Sequence, residues 1–308
     1  MNILVSGANG FIGRSLCPYL SFLGYNVVPT VRRPCHIPNE RIVNDEFSWK
    51  NALTSCDTVV HLAGCSHFIK TEKSQHLAFK TSNIKTTLDL ACHAADIGVR
   101  RFIFLSTIKV NGQQTLRGCS FRPDNCPAPE DSYANSKWNA EQGLFEIAQN
   151  TGMQVVCIRP PLVYGPGVKG NFLSLMHFID RGLPLPFGSV QNKRSLVSIY
   201  NLIDLVRTCI DHPSAVNQTF LVSDDEDLST TELLQKLSLA LNRPARLVPI
   251  PVQFLRLTAQ LVGKKEVAQR LFGNLQVDIS KTKQLLGWSP SVTVDEGLRK
   301  TAEWYLNL

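Results

Sequence analysis

Short apolar runs alternate with longer amphipathic stretches through the first half of the chain. Strands separated by helical crossovers predict a parallel sheet with helices on both faces, the doubly wound α/β architecture. Such sheets bind ligands at the edge where their strands end. The apolar runs have the length and composition of buried strands, and they fall at residues 3–6, 26–31, 58–62, 102–106 and 155–158.

After about residue 160, frequent prolines divide the chain into shorter elements. We therefore predict two regions, 1–160 and 161–308, of which the second is smaller and more irregular, with elements at about 195–223 returning to the first. Helical patterns recur in the second region, and they fall at residues 230–241, 252–263 and 294–305.

Composition and charge narrow the possible partners. The chain has 308 residues, of which 44% are hydrophobic, and no apolar run approaches the ~18 residues of a membrane span. The first residues lack a basic stretch ahead of their apolar run, so we expect a first strand and a soluble, cytoplasmic protein. The net charge of +7 favours an anionic partner, and because Lys and Arg are spread along the chain, a phosphate-bearing small molecule fits better than nucleic acid.

The cysteines predict neither disulfides nor a metal site. All nine are scattered singly, with no Cys-x-x-Cys pair. His61, Cys65 and His67 are close in the sequence, but they straddle a strand end and lack a second ligand cluster. We expect reduced thiols and no metal.

One amphipathic segment, residues 252–272, has two interpretations. It fits a helix pair that packs between domains, and it also fits a helix lying on an anionic membrane surface. We favour packing and expect no stable membrane insertion. The side chains concerned are the apolar Phe254, Leu255, Leu257, Leu261 and Val262 and the basic Arg256, Lys264, Lys265 and Arg270.

A glycine-rich turn joins the first strand to the first helix. Its sequence is Gly7-Ala8-Asn9-Gly10-Phe11-Ile12-Gly13. Glycines allow unusual φ angles and let the backbone approach a pyrophosphate, which binds to the free N–H groups at the helix start. Because the turn follows the first strand directly, it predicts a dinucleotide site.

The end of the second strand bears on the choice of dinucleotide. An Asp or Glu there would accept hydrogen bonds from the ribose 2′-hydroxyl of NAD, but the chain reads Pro29-Thr30-Val31-Arg32-Arg33. Two arginines suit a 2′-phosphate. We therefore favour NADP(H) over NAD(H), with surface arginines as the alternative.

Tyr133 and Lys137 are the candidate catalytic pair. Their four-residue interval places both side chains on one face of a predicted helix. The Lys137 ammonium is then expected to lower the pKa of the Tyr133 phenol. A tyrosine tuned in this way can give a proton to an alkoxide and take it back, as redox chemistry at a carbinol or ketone requires.

These motifs together resemble the extended branch of the short-chain dehydrogenase/reductase superfamily, the NAD(P)-dependent sugar-nucleotide epimerases and dehydratases. Two further segments resemble that family, His61-Leu62-Ala63-Gly64 after the third strand and Arg159-Pro160-Pro161-Leu162-Val163-Tyr164-Gly165-Pro166 after the fifth. The resemblance covers nearly the whole chain. It implies a Rossmann-like fold and a homodimer formed by the helices around residues 75–97 and 133–149.

The resemblance also implies roles for single residues. A hydroxyl is required where the fourth strand ends, and the register assigns it to Thr107, with Ser106 as the alternative. Where relatives often read Val-Tyr-Gly, this chain reads Lys109-Val110-Asn111-Gly112, which is expected to change what faces the sugar. Lys109 is then a substrate contact or a surface charge. The dinucleotide is expected to contact Gly7, Asn9, Gly10, Phe11, Ile12, Gly13, Leu62, Ala63, Gly64 and Pro160 in addition to Tyr133 and Lys137.

The implied substrate is a UDP-sugar. Asn171 and Arg194 match positions that hold the diphosphate, and Phe187 is either a shelf for the uracil or part of the core. The stretches 106–112 and 165–196 resemble a bacterial surface-polysaccharide group, which favours a reductase of a UDP-4-keto-6-deoxy-N-acetylhexosamine. A UDP-hexose or UDP-N-acetylhexosamine 4-epimerase is the alternative, and a non-catalytic dinucleotide sensor is a remote one.

Overall fold

A computed structural model describes residues 1–65, 79–261, 263 and 265–308. Its strands are β1 (Asn2–Ser6), β2 (Asn26–Val31), β3 (Arg41–Ile42), β4 (Thr58–His61), β5 (Arg101–Leu105), β6 (Gln154–Arg159), β7 (Leu162–Tyr164), β8 (Arg194–Ser198), β9 (Gln218–Leu221) and β10 (Asp227–Leu228). The described α-helices are α1 (Gly13–Phe22), α2 (Glu46–Leu53), α3 (Thr86–Asp96), α4 (Ser132–Thr151), α5 (Gly170–Asp180), α6 (Ile199–Asp211), α7 (Thr230–Ala240), α8 (Val252–Leu261), α9 (Lys265–Phe272), α10 (Ser280–Leu286) and α11 (Val294–Leu306).

The main sheet has seven parallel strands in the order β3-β2-β1-β4-β5-β6-β9. The predicted doubly wound architecture is confirmed. The sequence pattern missed the two-residue edge strand β3, because both of its residues are exposed and carry no buried apolar run.

Alternate residues of the central strands enter two separate hydrophobic layers. Ile3 and Val5 face one layer, whereas Leu4 faces the other. Both faces of the sheet are therefore covered, which explains why its strands appear in the sequence as continuous apolar runs.

A second, three-stranded sheet of order β10-β8-β7 follows the main one in the chain. It packs with α5, α7 and α11 around a third apolar cluster that includes Phe172, Leu234 and Leu298. Strand β9 returns from this part of the chain to pair with β6. Strands β1, β4, β5 and β6 all end at the same edge of the main sheet, and the segments that follow them lie together there.

Candidate active site

The glycine turn uses each glycine for a different reason. Gly7 has φ +71°, and a Cβ there would lie 2.8 Å from the backbone nitrogen of Ala63. A Cβ at Gly13 would lie 2.4 Å from the carbonyl oxygen of Gly7. At Gly10 that same oxygen, at 3.1 Å, is the one atom within 4 Å of such a Cβ among the described residues beyond its two chain neighbours. Gly7 and Gly13 therefore allow the close packing of the turn, and Gly10 leaves the outer side of the turn open for a ligand.

The helix that follows offers free donors. The residue before α1, Ile12, provides no side-chain cap. The N–H groups of Arg14 and Ser15 already donate to the Gly10 and Ile12 carbonyls, which leaves those of Phe11, Ile12 and Gly13 as the candidate donors to a ligand. Phe11 and Ile12 are half-buried beside them, and Asn9 is exposed with its amide 3.2 Å from the Cys35 sulfur. This cradle fits the pyrophosphate of a dinucleotide.

The segment after β4 closes against the turn. The Ala63 N–H donates to Ser6 Oγ over 3.3 Å, and Leu62 is half-buried in the core layer beneath the turn. A Cβ at Gly64 would lie 3.2 Å from Lys137 Nζ. The predicted cofactor-lining segment therefore lies between the glycine turn and the candidate catalytic lysine, and the buried Pro160 follows β6 along the same edge.

Helix α4 presents Tyr133 and Lys137. Asp131 caps its start by accepting the Ala134 N–H over 2.7 Å. The Lys137 ammonium is buried, donates to the Leu105 carbonyl over 2.9 Å and lies 4.5 Å from the Phe104 ring centroid. Lys137 is thus fixed to the end of β5.

The expected lowering of the Tyr133 pKa is wrong for the protein without a ligand. Burial, followed by the negative charge of Asp131, raises the pKa of Tyr133 to about 12. Burial also lowers the pKa of Lys137 to about 8, although Glu141 opposes this. The sequence places the two side chains on one helix face, but it does not show how strongly burial disfavours both charged forms.

Lys109 lies beside Tyr133. Its ammonium is 2.6 Å from Asp131 Oδ2 and 5.9 Å from the Tyr133 ring centroid, and it is partly exposed. Asn111, in contrast, is buried, with Oδ1 accepting from Arg159 over 2.9 Å. Of the segment that differs from Val-Tyr-Gly, the Lys109 side chain therefore lies beside Tyr133, whereas the Asn111 side chain lies in the interior beside Arg159.

Two hydroxyls follow β5. The Thr107 hydroxyl lies at the start of a short 3-10 helix, Ile108–Val110, and accepts the Lys109 N–H over 3.4 Å. The Ser106 hydroxyl is buried and, within the described part of the chain, has no hydrogen-bond partner. Thr107 is thus held by the Lys109 segment, and its choice over Ser106 as the hydroxyl of the site stays a prediction.

Asn83 is a site residue that the sequence analysis missed. It is fully buried, and its Oδ1 accepts the Cys65 N–H over 2.8 Å. Its Nδ2 donates to the Cys65 carbonyl over 3.0 Å and to Ser136 Oγ over 2.9 Å. Ser136 in turn donates to the carbonyl of Tyr133 over 2.7 Å. Asn83 thereby connects the segment after β4 to the first turn of α4, and its polar neighbours in the sequence provide no signal of this.

His61 is a structural residue. It is fully buried. Its Nδ1 lies 2.6 Å from Ser6 Oγ, and its Nε2 lies 2.9 Å from Thr87 Oγ1. Burial, with a smaller effect from Lys137, lowers its pKa to about 3, so it is neutral near pH 7. Within the described ranges no three His, Cys, Asp or Glu side chains are grouped to hold a metal, and His67 lies outside those ranges.

The other candidate substrate residues lie on β8 and in the chain that precedes it, from α5 onwards. Arg194 begins β8 and donates to the Gly273 carbonyl over 3.0 Å, and burial together with nearby Arg270 lowers its pKa to about 10. Phe187 is half-buried, 6.0 Å from the Phe272 ring. Asn171 is exposed at the second residue of α5. Arg270 is 76 positions from Arg194 in the sequence, and only the fold brings the two together.

Lys137→Met is expected to stabilise the ligand-free protein by about 2 kcal/mol at pH 7. The folded-state pKa near 8 is below the ordinary value of 10.5, so protonation of Lys137 opposes folding below pH 8, and this penalty disappears above pH 10.5. The gain should therefore shrink to zero between these pH values. Urea unfolding at pH 7 and pH 10 measures it. Lys85→Met, at a 70% exposed lysine, is the control and should change stability by less than about 0.5 kcal/mol.

Known proteins are similar to this chain over nearly its whole length. The profile of the NAD dependent epimerase/dehydratase family matches residues 3–223. A UDP-glucose 4-epimerase of Vibrio cholerae is 44% identical over 313 residues, which cover 99% of this chain and 95% of that relative. The N-acetyl-alpha-D-glucosaminyl-diphospho-ditrans,octacis-undecaprenol 4-epimerase of Escherichia coli O157:H7 is 24% identical over 321 residues, covering 98% and 95%.

The fold agrees with a solved structure. The crystal structure of UDP-glucuronic acid 4-epimerase from Bacillus cereus in complex with NAD superposes with a TM-score of 0.81, covering 100% of this chain and 99% of that chain at 22% identity. The family profile and the full-length relative go further than the shared fold. This chain is a member of the NAD dependent epimerase/dehydratase family.

Proposed function

We propose that the protein is a UDP-sugar 4-epimerase that interconverts UDP-glucose and UDP-galactose or their N-acetylated forms. The observation that carries this proposal is the Tyr133–Lys137 pair held at the end of β5, in a chain 44% identical to a UDP-glucose 4-epimerase over almost its full length. In this reaction C4 is oxidised to a ketone, the keto sugar turns over, and C4 is reduced on its other face.

Proton transfer at the C4 oxygen is assigned to Tyr133. The buried phenol is a poor acid by itself, since its pKa is about 12. We assign to Lys137, one turn further along α4, and to Lys109, whose ammonium lies 5.9 Å from the Tyr133 ring centroid, the positive charge that would favour the phenolate during the reaction. A nicotinamide dinucleotide held by the glycine turn, residues 7–13, would supply the hydride acceptor and donor. Thr107 is proposed to hold the C4 oxygen against Tyr133.

Substrate binding is assigned mainly to residues 161–308, and dinucleotide binding to residues 1–160. Arg194, with Arg270 beside it, is proposed to bind the diphosphate, because two neighbouring guanidinium groups suit a dianion. Phe187 is the proposed shelf for uracil, Asn171 a further contact, and Lys109 a contact to the sugar. We also propose a homodimer through the helices around 75–97 and 133–149, of which residues 75–78 lie outside the described ranges. Sedimentation velocity measures its mass.

The test is incubation of purified protein with UDP-glucose and with UDP-N-acetylglucosamine. Interconversion to the C4 epimer without net consumption of reduced dinucleotide supports the epimerase. If neither pair reacts, and a UDP-4-keto sugar consumes one equivalent of NADPH, the proposal is wrong.

That second outcome would identify a reductase, which Arg32 and Arg33 favour as the second candidate. Both are exposed directly after β2 in place of an acid. A net reduction consumes a dissociable cofactor, and a 2′-phosphate contact would select NADPH for it.

Arg32→Ala/Arg33→Ala is expected to weaken NADP(H) binding at least about tenfold and to leave NAD(H) binding within about twofold. The physical reason is the loss of charge-assisted contacts to a 2′-phosphate that NAD lacks. Fluorescence titration with NADPH and NADH measures both constants. A wild-type preference for NADH that persists in the double variant would show that these arginines are surface charges. Arg299→Ala, at an exposed arginine of α11, is the control.

A further inference from the structure

Helix α8 exposes an apolar stripe to solvent. Phe254, Leu257 and Leu261 are 62%, 55% and 78% exposed. Their spacing of three and four residues places them on one face of the helix, over about 10 Å of its length. We call these three residues the α8 stripe. Exposed apolar side chains that occur singly need no explanation, but a contiguous set of them indicates an interaction surface.

The opposite face of α8 already has its packing partners. Val252, Leu255 and Ala259 are half-buried against a small cluster formed by Val190, Ala268 and Phe272. The helix is therefore held to the protein without the α8 stripe. The packing predicted for this segment applies to one face, and the sequence pattern could not separate that face from the other.

The segment that carries the α8 stripe is rich in basic residues. Arg246 and Arg256 are exposed, before the helix and within it. From residue 246 to residue 272 the sequence contains five basic side chains and one acidic one, namely Arg246, Arg256, Lys264, Lys265 and Arg270 against Glu266. An apolar face beside basic side chains is complementary to an anionic phospholipid surface, in which acyl chains lie beneath negative headgroups.

We propose that the α8 stripe docks the protein reversibly on the surface of an anionic bilayer. The three side chains enter the boundary between headgroups and acyl chains, and the exposed Arg246 and Arg256 bind the headgroups. Within the described residues no helix is long and apolar enough to cross a membrane, so the association is peripheral. Because α9 packs on α8 and its C-terminal end contacts Phe187, docking also brings the proposed nucleotide end of the site towards the membrane.

The test is co-sedimentation of the full-length protein with vesicles. Wild type is expected to partition at least about tenfold more strongly into phosphatidylcholine vesicles with 30% phosphatidylglycerol than into phosphatidylcholine alone, and to lose this preference in 0.5 M NaCl. The triple variant Phe254→Ser/Leu257→Ser/Leu261→Ser is expected to lose at least about tenfold in binding.

A matched control removes three exposed apolar side chains elsewhere. Phe22→Ser/Leu116→Ser/Leu239→Ser changes residues that are 86%, 79% and 80% exposed, and vesicle binding should stay within about twofold of wild type. Thermal unfolding and turnover of soluble UDP-sugar check that both variants are folded. The single variant Leu261→Ser provides a milder version of the test and should lose about threefold.

Three outcomes would overturn the proposal. The first is that wild type does not bind the anionic vesicles. The second is that the α8 stripe variant binds as wild type does. The third is that wild type forms a concentration-dependent oligomer without vesicle binding and the α8 stripe variant does not, which would make the surface a contact between two copies of this chain.

Discussion

Tyr133→Phe is expected to lower kcat for C4 interconversion by about 10³-fold and to change KM less than about threefold. The substitution removes only the hydroxyl, so the packing of the ring against Phe79, at 6.0 Å between centroids, is retained. What is lost is the group that exchanges a proton with the C4 oxygen. A coupled assay for UDP-glucose formed from UDP-galactose measures both constants.

Tyr19→Phe is the matched control, because it also removes a single tyrosine hydroxyl. The Tyr19 hydroxyl donates to Asp204 over 3.0 Å, and neither residue is assigned to the site. It should change kcat less than about threefold. A Tyr133→Phe variant that keeps a tenth or more of the wild-type kcat would show that another group exchanges this proton.

Arg194→Met is expected to raise KM for the UDP-sugar by about 100-fold, with kcat within about fivefold of wild type. Methionine keeps much of the buried apolar stem but removes the guanidinium beside Arg270 that the proposal assigns to the diphosphate. Because the diphosphate is remote from C4, its contacts act mainly on binding.

Arg243→Met serves as the control for Arg194→Met. Arg243 is an exposed arginine paired with Asp180 over 3.1 Å, and its replacement should leave KM within about twofold. If Arg194→Met lowers kcat instead and leaves KM unchanged, the guanidinium acts in the chemical step or in the fold, and the assignment to the diphosphate fails.

The sequence predicts those features of the molecule that depend on residues close together in the chain. Continuous apolar runs predicted the parallel sheet because its strands are buried on both faces. The glycine turn was visible because Gly7 and Gly13 leave no room for a Cβ. Tyr133 and Lys137 could be paired because a helix places residues four apart on one face.

What escaped prediction depends on contacts between distant segments. Asn83 reaches Ser136 across 53 positions, and Lys109 reaches Asp131 across 22. The raised pKa of Tyr133 follows from burial, which no spacing between two residues shows. The pattern of α8 is the same whether its apolar side chains pack inward or face solvent, and only the fold separates the two faces.

The central claim is that the hydrogen removed from C4 returns to the same carbon. UDP-glucose deuterated at C4 tests it most directly, with the product examined by NMR and mass spectrometry. The proposal predicts UDP-galactose that retains deuterium at C4, formed without added reduced dinucleotide. Loss of the deuterium from the product, or no product unless NADPH is consumed in equal amount, would contradict it.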